Sequence, residues 1–273
     1  GSSTQDQSIP TPPQGFVGRE IDMYKVLNLI LDKRFVSLVG PTGIGRGSLA
    51  SALCHYINDR KSTMTKIETI YYVRARQKRG NDGMASIITP LYEQLKGGKN
   101  QAGNLPRDMD DIFQGIFSAL STAKALVVFD RVEVMDGTEE AQEFPLFLST
   151  LFRETRNVRV LMTACKPLGR SSLGGVGEDI YKLGKLSFKS STQLFLFLCP
   201  HVHTTEERRR LLELLVPPID PAQARLCCDD EDLNERSQEI IAFIGGGVPS
   251  RIFNTAYDTS IEQFEDFIQR FSS

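Results

Sequence analysis

The stretch Val36-Ser37-Leu38-Val39-Gly40-Pro41-Thr42-Gly43-Ile44-Gly45-Arg46-Gly47-Ser48 constrains this chain more than any other. A short apolar run enters a glycine-rich turn, and the helix-forming stretch Leu49-Ala50-Ser51-Ala52-Leu53-Cys54 follows. The order strand, glycine loop, helix is that of a phosphate-binding loop, in which backbone N–H groups and a helix N-terminus converge on an anion. The glycines let the chain turn sharply and approach phosphate oxygens closely. Gly40, Gly43, Ile44, Gly45, Arg46, Gly47 and Ser48 are therefore the expected phosphate-side contacts.

The full pattern for such a loop is G-x-x-x-x-G-K-[ST]. Gly40 and Gly45 fit it, but Arg46 stands at the lysine position and Gly47 at the hydroxyl position, with Ser48 one place late. The cradle is kept while two chemical groups are changed. Arginine is longer, planar and forked, so it does not simply replace the compact lysine charge. The hydroxyl normally ligates Mg²⁺; Gly47 has none, and Ser48 takes its place only if the loop shifts register. A phosphate-loop fold with poor hydrolysis is the expectation.

A second apolar run, Ala125-Leu126-Val127-Val128-Phe129-Asp130, ends in a carboxylate. An aspartate at the end of such a strand can hold Mg²⁺ or its water shell, so Asp130 and Ser48 are the metal candidates. Glu133, three residues on, reads equally as a group that polarises an attacking water and as a surface carboxylate; Asp130 and Glu133 are the catalytic candidates. Strands read at 34–39, 66–73, 125–130 and 157–163, with a short extended piece at 180–186, alternate with amphipathic helical stretches. That alternation predicts an α/β fold, a parallel sheet with helices on both faces. After Ser190 no long β run recurs, and helical patterns cover 190–200, 204–216, 231–244 and 260–271, with Gly245-Gly246-Gly247-Val248-Pro249 stopping the third. The division read from this is a disordered lead-in and tag at 1–15, an α/β domain at 16–187, and a small C-terminal helical lid at 188–273. Residues 170–178 are rich in Gly and Ser and read as a mobile loop. Arg74, Arg76, Lys78 and Arg79 form a basic cluster after the second strand, either solvated or near a phosphate or partner.

Lys and Arg number 32 against 34 Asp and Glu, a net charge of −2, so the balance asks for neither nucleic acid nor an acidic membrane surface. Arg208-Arg209-Arg210 is offset by Glu206 and Glu207. No apolar run approaches the roughly 18 residues of a membrane span. The five cysteines are irregularly spaced without a C-x-x-C, which argues against a disulfide framework or zinc site. A reducing compartment fits, the cytoplasm first and the nucleus second.

Five stretches in order carry a family resemblance: Phe16-Val17-Gly18-Arg19-Glu20, Gly40 to Gly45, Leu126 to Glu133, Val160-Leu161-Met162-Thr163, and Gly246-Gly247-Val248-Pro249. Together they resemble the STAND signal-transduction NTPases, especially the NB-ARC group. The resemblance implies an ADP or ATP cofactor, with Phe16, Val17, Gly18 and Pro249 against the base. It also implies a lid whose angle follows the nucleotide, and a switch from a closed ADP form to an open, assembling one. Partners would be nucleotide, other domains of a longer parent chain, and further copies of itself. Departures from the family sit around one phosphate: Arg46, Gly47, and Thr163-Ala164-Cys165 where the family usually has a sensor arginine, with Lys166 adjacent. Mg²⁺ binding should be weakened accordingly. The reading is a regulatory nucleotide-binding module with weak or absent hydrolysis. The alternative is a pseudo-NTPase scaffold that binds no nucleotide and mediates protein–protein interaction. A working origin-recognition type ATPase of the AAA+ group is a third reading, and it would want an intact Lys-Thr pair.

Overall fold

The structure is a computed structural model that describes residues 9–60, 62–63, 65–76, 84–97, 106, 108–136, 142–216 and 233–272. The proposed tag, Lys78 and Arg79, Cys227 and Cys228, and the start of the helix expected at 231 lie outside the described residues. No described helix is long and apolar enough to cross a membrane. The chain divides into two compact units.

The first unit takes residues 1–12, 22–40 and 46–182. Its sheet has five strands: β1 (Phe35–Val39), β2 (Thr69–Arg74), β3 (Ala125–Asp130), β4 (Arg159–Ala164) and β5 (Asp179–Lys182), in the order β2-β3-β4-β1-β5. Every pairing is parallel. All residues of β1 and β3 are buried, which is why both read as continuous apolar runs rather than alternating ones. Its helices are α1 (Glu20–Asp32), α2 (Arg46–Asp59), α3 (Ala85–Leu95), α4 (Met109–Leu120) and α5 (Glu143–Glu154). Phe129 of β3 meets Phe144 of α5 edge to face at 5.3 Å, an arrangement that the ring quadrupoles favour. At the opposite end of β1, the Arg34 guanidinium donates to the carbonyls of Phe152, Thr155 and Val158. Burial, then the charge of Arg159, pulls its pKa below the ordinary arginine value.

Two local expectations are corrected here. The lead-in is not free throughout: Ile9 is buried, and the Pro10 carbonyl accepts from Ser51 Oγ and lies 3.0 Å from His55 Nε2. An apolar side chain that leaves water and a carbonyl that finds a side-chain donor give that segment reasons to dock. The expected mobile loop at 170–178 is pinned. Leu173 and Val176 exchange two backbone bonds, Leu173 is buried, and the Glu178 carboxylate accepts from Ser37 Oγ and from the N–H groups of Leu168 and Gly169.

The second unit takes residues 13–21, 41–45 and 183–273. Its helices are α6 (Phe188–Leu198), α7 (Thr205–Leu215), α8 (Glu235–Ile244), α9 (Pro249–Asp258) and α10 (Ile261–Phe271). Ser187, Thr204, Asn234 and Ser260 each cap a helix by accepting from the third residue on, as side chains with short oxygens do at N-termini. Phe243 and Phe267 stack at 4.0 Å in its core, with Phe195 edge-on to both. Helix α9 is a correction: the run ending at Pro249 stops α8, but Pro249 also opens a new helix. Proline suits the first helical turn because its missing N–H would be unpaired there. Only Ile252 and Ala256 of α9 are buried, too sparse a pattern to announce the helix.

Gly245 closes α8 with φ +106°, and a Cβ there would lie 2.7 Å from the Ile252 amide nitrogen. Gly245→Ala should therefore cost about 2 kcal/mol or more, since both the dihedral and the backbone clash oppose it. Urea denaturation measures this; a loss under about 0.5 kcal/mol, the size of a neutral surface change, would show that the turn relaxes freely.

Candidate functional site

Residues 41–45 of the glycine loop group with the second unit and are held there by their carbonyls. Ile44 N–H closes a turn onto the Pro41 carbonyl at 3.3 Å. Gly43 and Gly45 take φ +84° and +101°, values that glycine alone adopts without strain. The Gly43 carbonyl accepts from Ser250 N–H at 3.2 Å, and the Ile44 carbonyl accepts from Arg19 Nη2 at 2.9 Å. Ser250 Oγ lies so near Gly43 that no Cβ would fit, and a Cβ on Gly45 would lie 3.8 Å from Pro249 Cγ. Gly18 likewise sits against the Ser190 side chain. Thus Gly43, Ile44, Gly45, Gly18 and Pro249 are brought into one unit, and Phe16 and Val17 belong to it as well. Arg19 and Ser250 are the two contributors not anticipated. Arg19 stands inside the quoted Val-Gly-Arg stretch, so its charge was visible; its target, a loop carbonyl 25 residues on, was not.

The first unit holds the remaining candidates: Gly40, Arg46, Gly47, Ser48, Asp130 and Glu133. Gly40 N–H donates to the Ala164 carbonyl at 3.3 Å, extending the pairing of β1 with β4. Ser48 is half-buried in the first turn of α2. Arg46 opens α2 and is only 6 % exposed, and its Nη2 donates to Glu133 Oε1 at 2.6 Å. Glu133 is 16 % exposed and rides on a single 3₁₀ turn, Val132–Met135. That turn starts from Arg131, the one described non-glycine residue with positive φ, at +65°. A left-handed arginine costs on the order of 1–2 kcal/mol, and its N–H donates to Thr163 Oγ1 at 2.9 Å.

The same Thr163 hydroxyl donates to Asp130 Oδ1 at 2.6 Å. Arg74 Nε stands 3.5 Å from Asp130 Oδ2. Asp130 is 2 % exposed, and a Cβ on Gly47 would lie 3.1 and 3.2 Å from its two oxygens. The carboxylate thus fills the space beside Gly47. Burial, and after it the Asp130 charge, push both the Tyr72 phenol and the Cys54 thiol well above their ordinary values. Both stay protonated and neutral around the carboxylate. Lys166 pairs with Asp136 at 3.4 Å on the surface.

These residues do not fit Mg²⁺ as arranged. The ion needs oxygen donors in near-ideal octahedral geometry. Gly47 supplies none, Asp130 is engaged through both oxygens, and Glu133 is tied to Arg46. Among the described residues, no group of three or more His, Cys, Asp or Glu is placed to hold an ion.

No protein-family model matches the chain, and no curated protein sequence does either. Solved structures share its fold. A Walker-type ATPase of Pyrococcus abyssi is similar over 96 % of this chain and 74 % of its own, with TM-score 0.51 and 13 % identity. C. elegans PCH-2 is similar over 94 % of this chain and 68 % of its own, with TM-score 0.52 and 13 % identity. Drosophila ORC, solved bound to DNA, is similar over 93 % of this chain and 68 % of its own, with TM-score 0.53 and 13 % identity. The fold is that of the P-loop ATPases, an α/β parallel sheet clothed by helices. Because one of these structures contains DNA, the likeness lends no support to the expectation against nucleic acid.

Thr163→Val should cost about 2–3 kcal/mol, because it strips a buried carboxylate and the Arg131 N–H of one shared partner. Thr163→Ser should recover most of that loss. Equal stability of the valine variant and the parent by urea denaturation would mean that the hydroxyl contributes nothing.

Proposed function

We propose that the chain is a regulatory nucleotide-binding module of the STAND type, NB-ARC-like, with hydrolysis weak or absent. The observation that carries this is the Arg46–Glu133 ion pair at 2.6 Å. The charge that should neutralise a terminal phosphate and the carboxylate that should polarise water are spent on each other. Phosphoryl transfer depends on positioned charges and an oriented nucleophile, so tying up both groups removes the main catalytic terms together. Binding needs less: the N-terminus of α2 remains an anion-attracting end. On this reading Gly40 to Ser48 contact the phosphates, and Phe16, Val17, Gly18 and Pro249 contact the base. ADP or ATP is the ligand, while Mg²⁺ adds little.

The second reading, a scaffold that binds no nucleotide, is favoured by one contact. Ser250 covers Gly43 and takes its carbonyl, so part of the loop is met by the chain's own side chain.

Calorimetric titration of nucleotide-free protein with ADP and ATP separates the two. The expected outcome is a Kd of about micromolar size, a binding free energy near −8 kcal/mol. Phosphate release should stay at the level of a protein-free control. No heat with either nucleotide would remove the switch and leave the scaffold.

A further inference from the structure

Glu133 does not have the surroundings of a residue that activates water. Its Oε1 is held by Arg46 Nη2 at 2.6 Å. Its Oε2 and the Arg46 Nη1 are both buried without a hydrogen-bond partner. An arginine–carboxylate pair is strongest when two parallel bonds form; here one forms and each partner keeps an unsatisfied atom. The guanidinium is therefore held but not saturated, at the first residue of the 14-residue helix α2.

The charges around it are already balanced. Asp130 and Glu133 face Arg74 and Arg46, two negative against two positive, with no deficit for a divalent cation to fill. An incoming oligophosphate would add negative charge, and Arg46 is the cation placed at the helix end to meet it.

We propose that Glu133 is an internal counter-ion that stands in for a phosphate at Arg46, so that oligophosphates bind α2 by displacing Glu133 and without magnesium. The inference rests on reading this helix end as a phosphate site, and it changes the role of Glu133 from water activation to competition with the ligand. A ligand that must first displace an internal partner binds with its affinity lowered by the population of the displaced state. Removing the competing charge should then tighten binding.

The test uses Glu133→Gln, which keeps the shape and removes the charge, with ATP and inorganic tripolyphosphate as probes in magnesium and in chelator. Both probes should bind the variant roughly ten- to hundredfold more tightly than the parent, the size of one charged hydrogen bond, and magnesium should change neither affinity. The gain should vanish in the double variant Glu133→Gln/Arg46→Met. Equal affinity of parent and Glu133→Gln, or a gain that survives loss of Arg46, overturns the inference. So does a parent protein that binds ATP only with magnesium; this last comparison needs no variant, and it decides alone if Glu133→Gln does not fold. Tripolyphosphate carries no base and separates the two levels. A gain for tripolyphosphate without any preference for nucleotide keeps the role of Glu133 and overturns the nucleotide reading. Nucleotide bound equally by parent and variant does the reverse.

Discussion

One buried hydroxyl, that of Thr163 near the end of β4, ties together the carboxyl ends of β3 and β4. It donates to Asp130 and accepts from Arg131 N–H, and so ties the last residue of β3 to the turn that leaves it. The left-handed backbone at Arg131 stands against that anchor, and strain of this kind persists only where the surroundings over-determine it. The turn that follows carries Glu133 to Arg46. From Thr163 to Arg46 the polar groups form one connected set, in which each member's position depends on the one before.

Burial gives the set its consequence. Two carboxylates and an arginine in a low-dielectric setting are costly unless paired, and the pairs they find are with each other and with Arg74. A P-loop ATPase fold meets the same desolvation problem whether or not it hydrolyses anything. In this chain the buried charges are paired with one another and with Arg74. Cys54 and Tyr72, kept protonated beside Asp130, add bulk and no charge.

Much of the fold was legible because β1 and β3 are buried along their whole length, and β2 and β4 along most of theirs, so they read as apolar runs. The changed groups of the loop, Arg46 and Gly47, were legible too, since a motif with fixed spacing shows its own substitutions. What the residues do with those changes was not. Nothing local marks Glu133 as the partner of Arg46 across 87 positions, and Thr163 looked like the place where a sensor had been lost rather than the tether of Asp130. Helix α9 was hidden for another reason. Three glycines and a proline read as a terminator, and its buried stripe is only two residues wide. The pinning of residues 170–178 escaped because glycine and serine content speaks of local freedom and says nothing of a carboxylate at residue 178 that gathers the N–H groups of Leu168 and Gly169, just before the loop.

The close approach of Asp130 to Gly47 also bears on how far single substitutions could restore the common loop pattern. A Cβ placed at position 47 would lie 3.1 and 3.2 Å from the two carboxylate oxygens, so a serine or threonine there requires the carboxylate to give way by a few tenths of an ångström, while a lysine placed at position 46 would still meet Glu133. Restoring the common loop pattern would therefore involve Asp130 and Glu133 as well as positions 46 and 47.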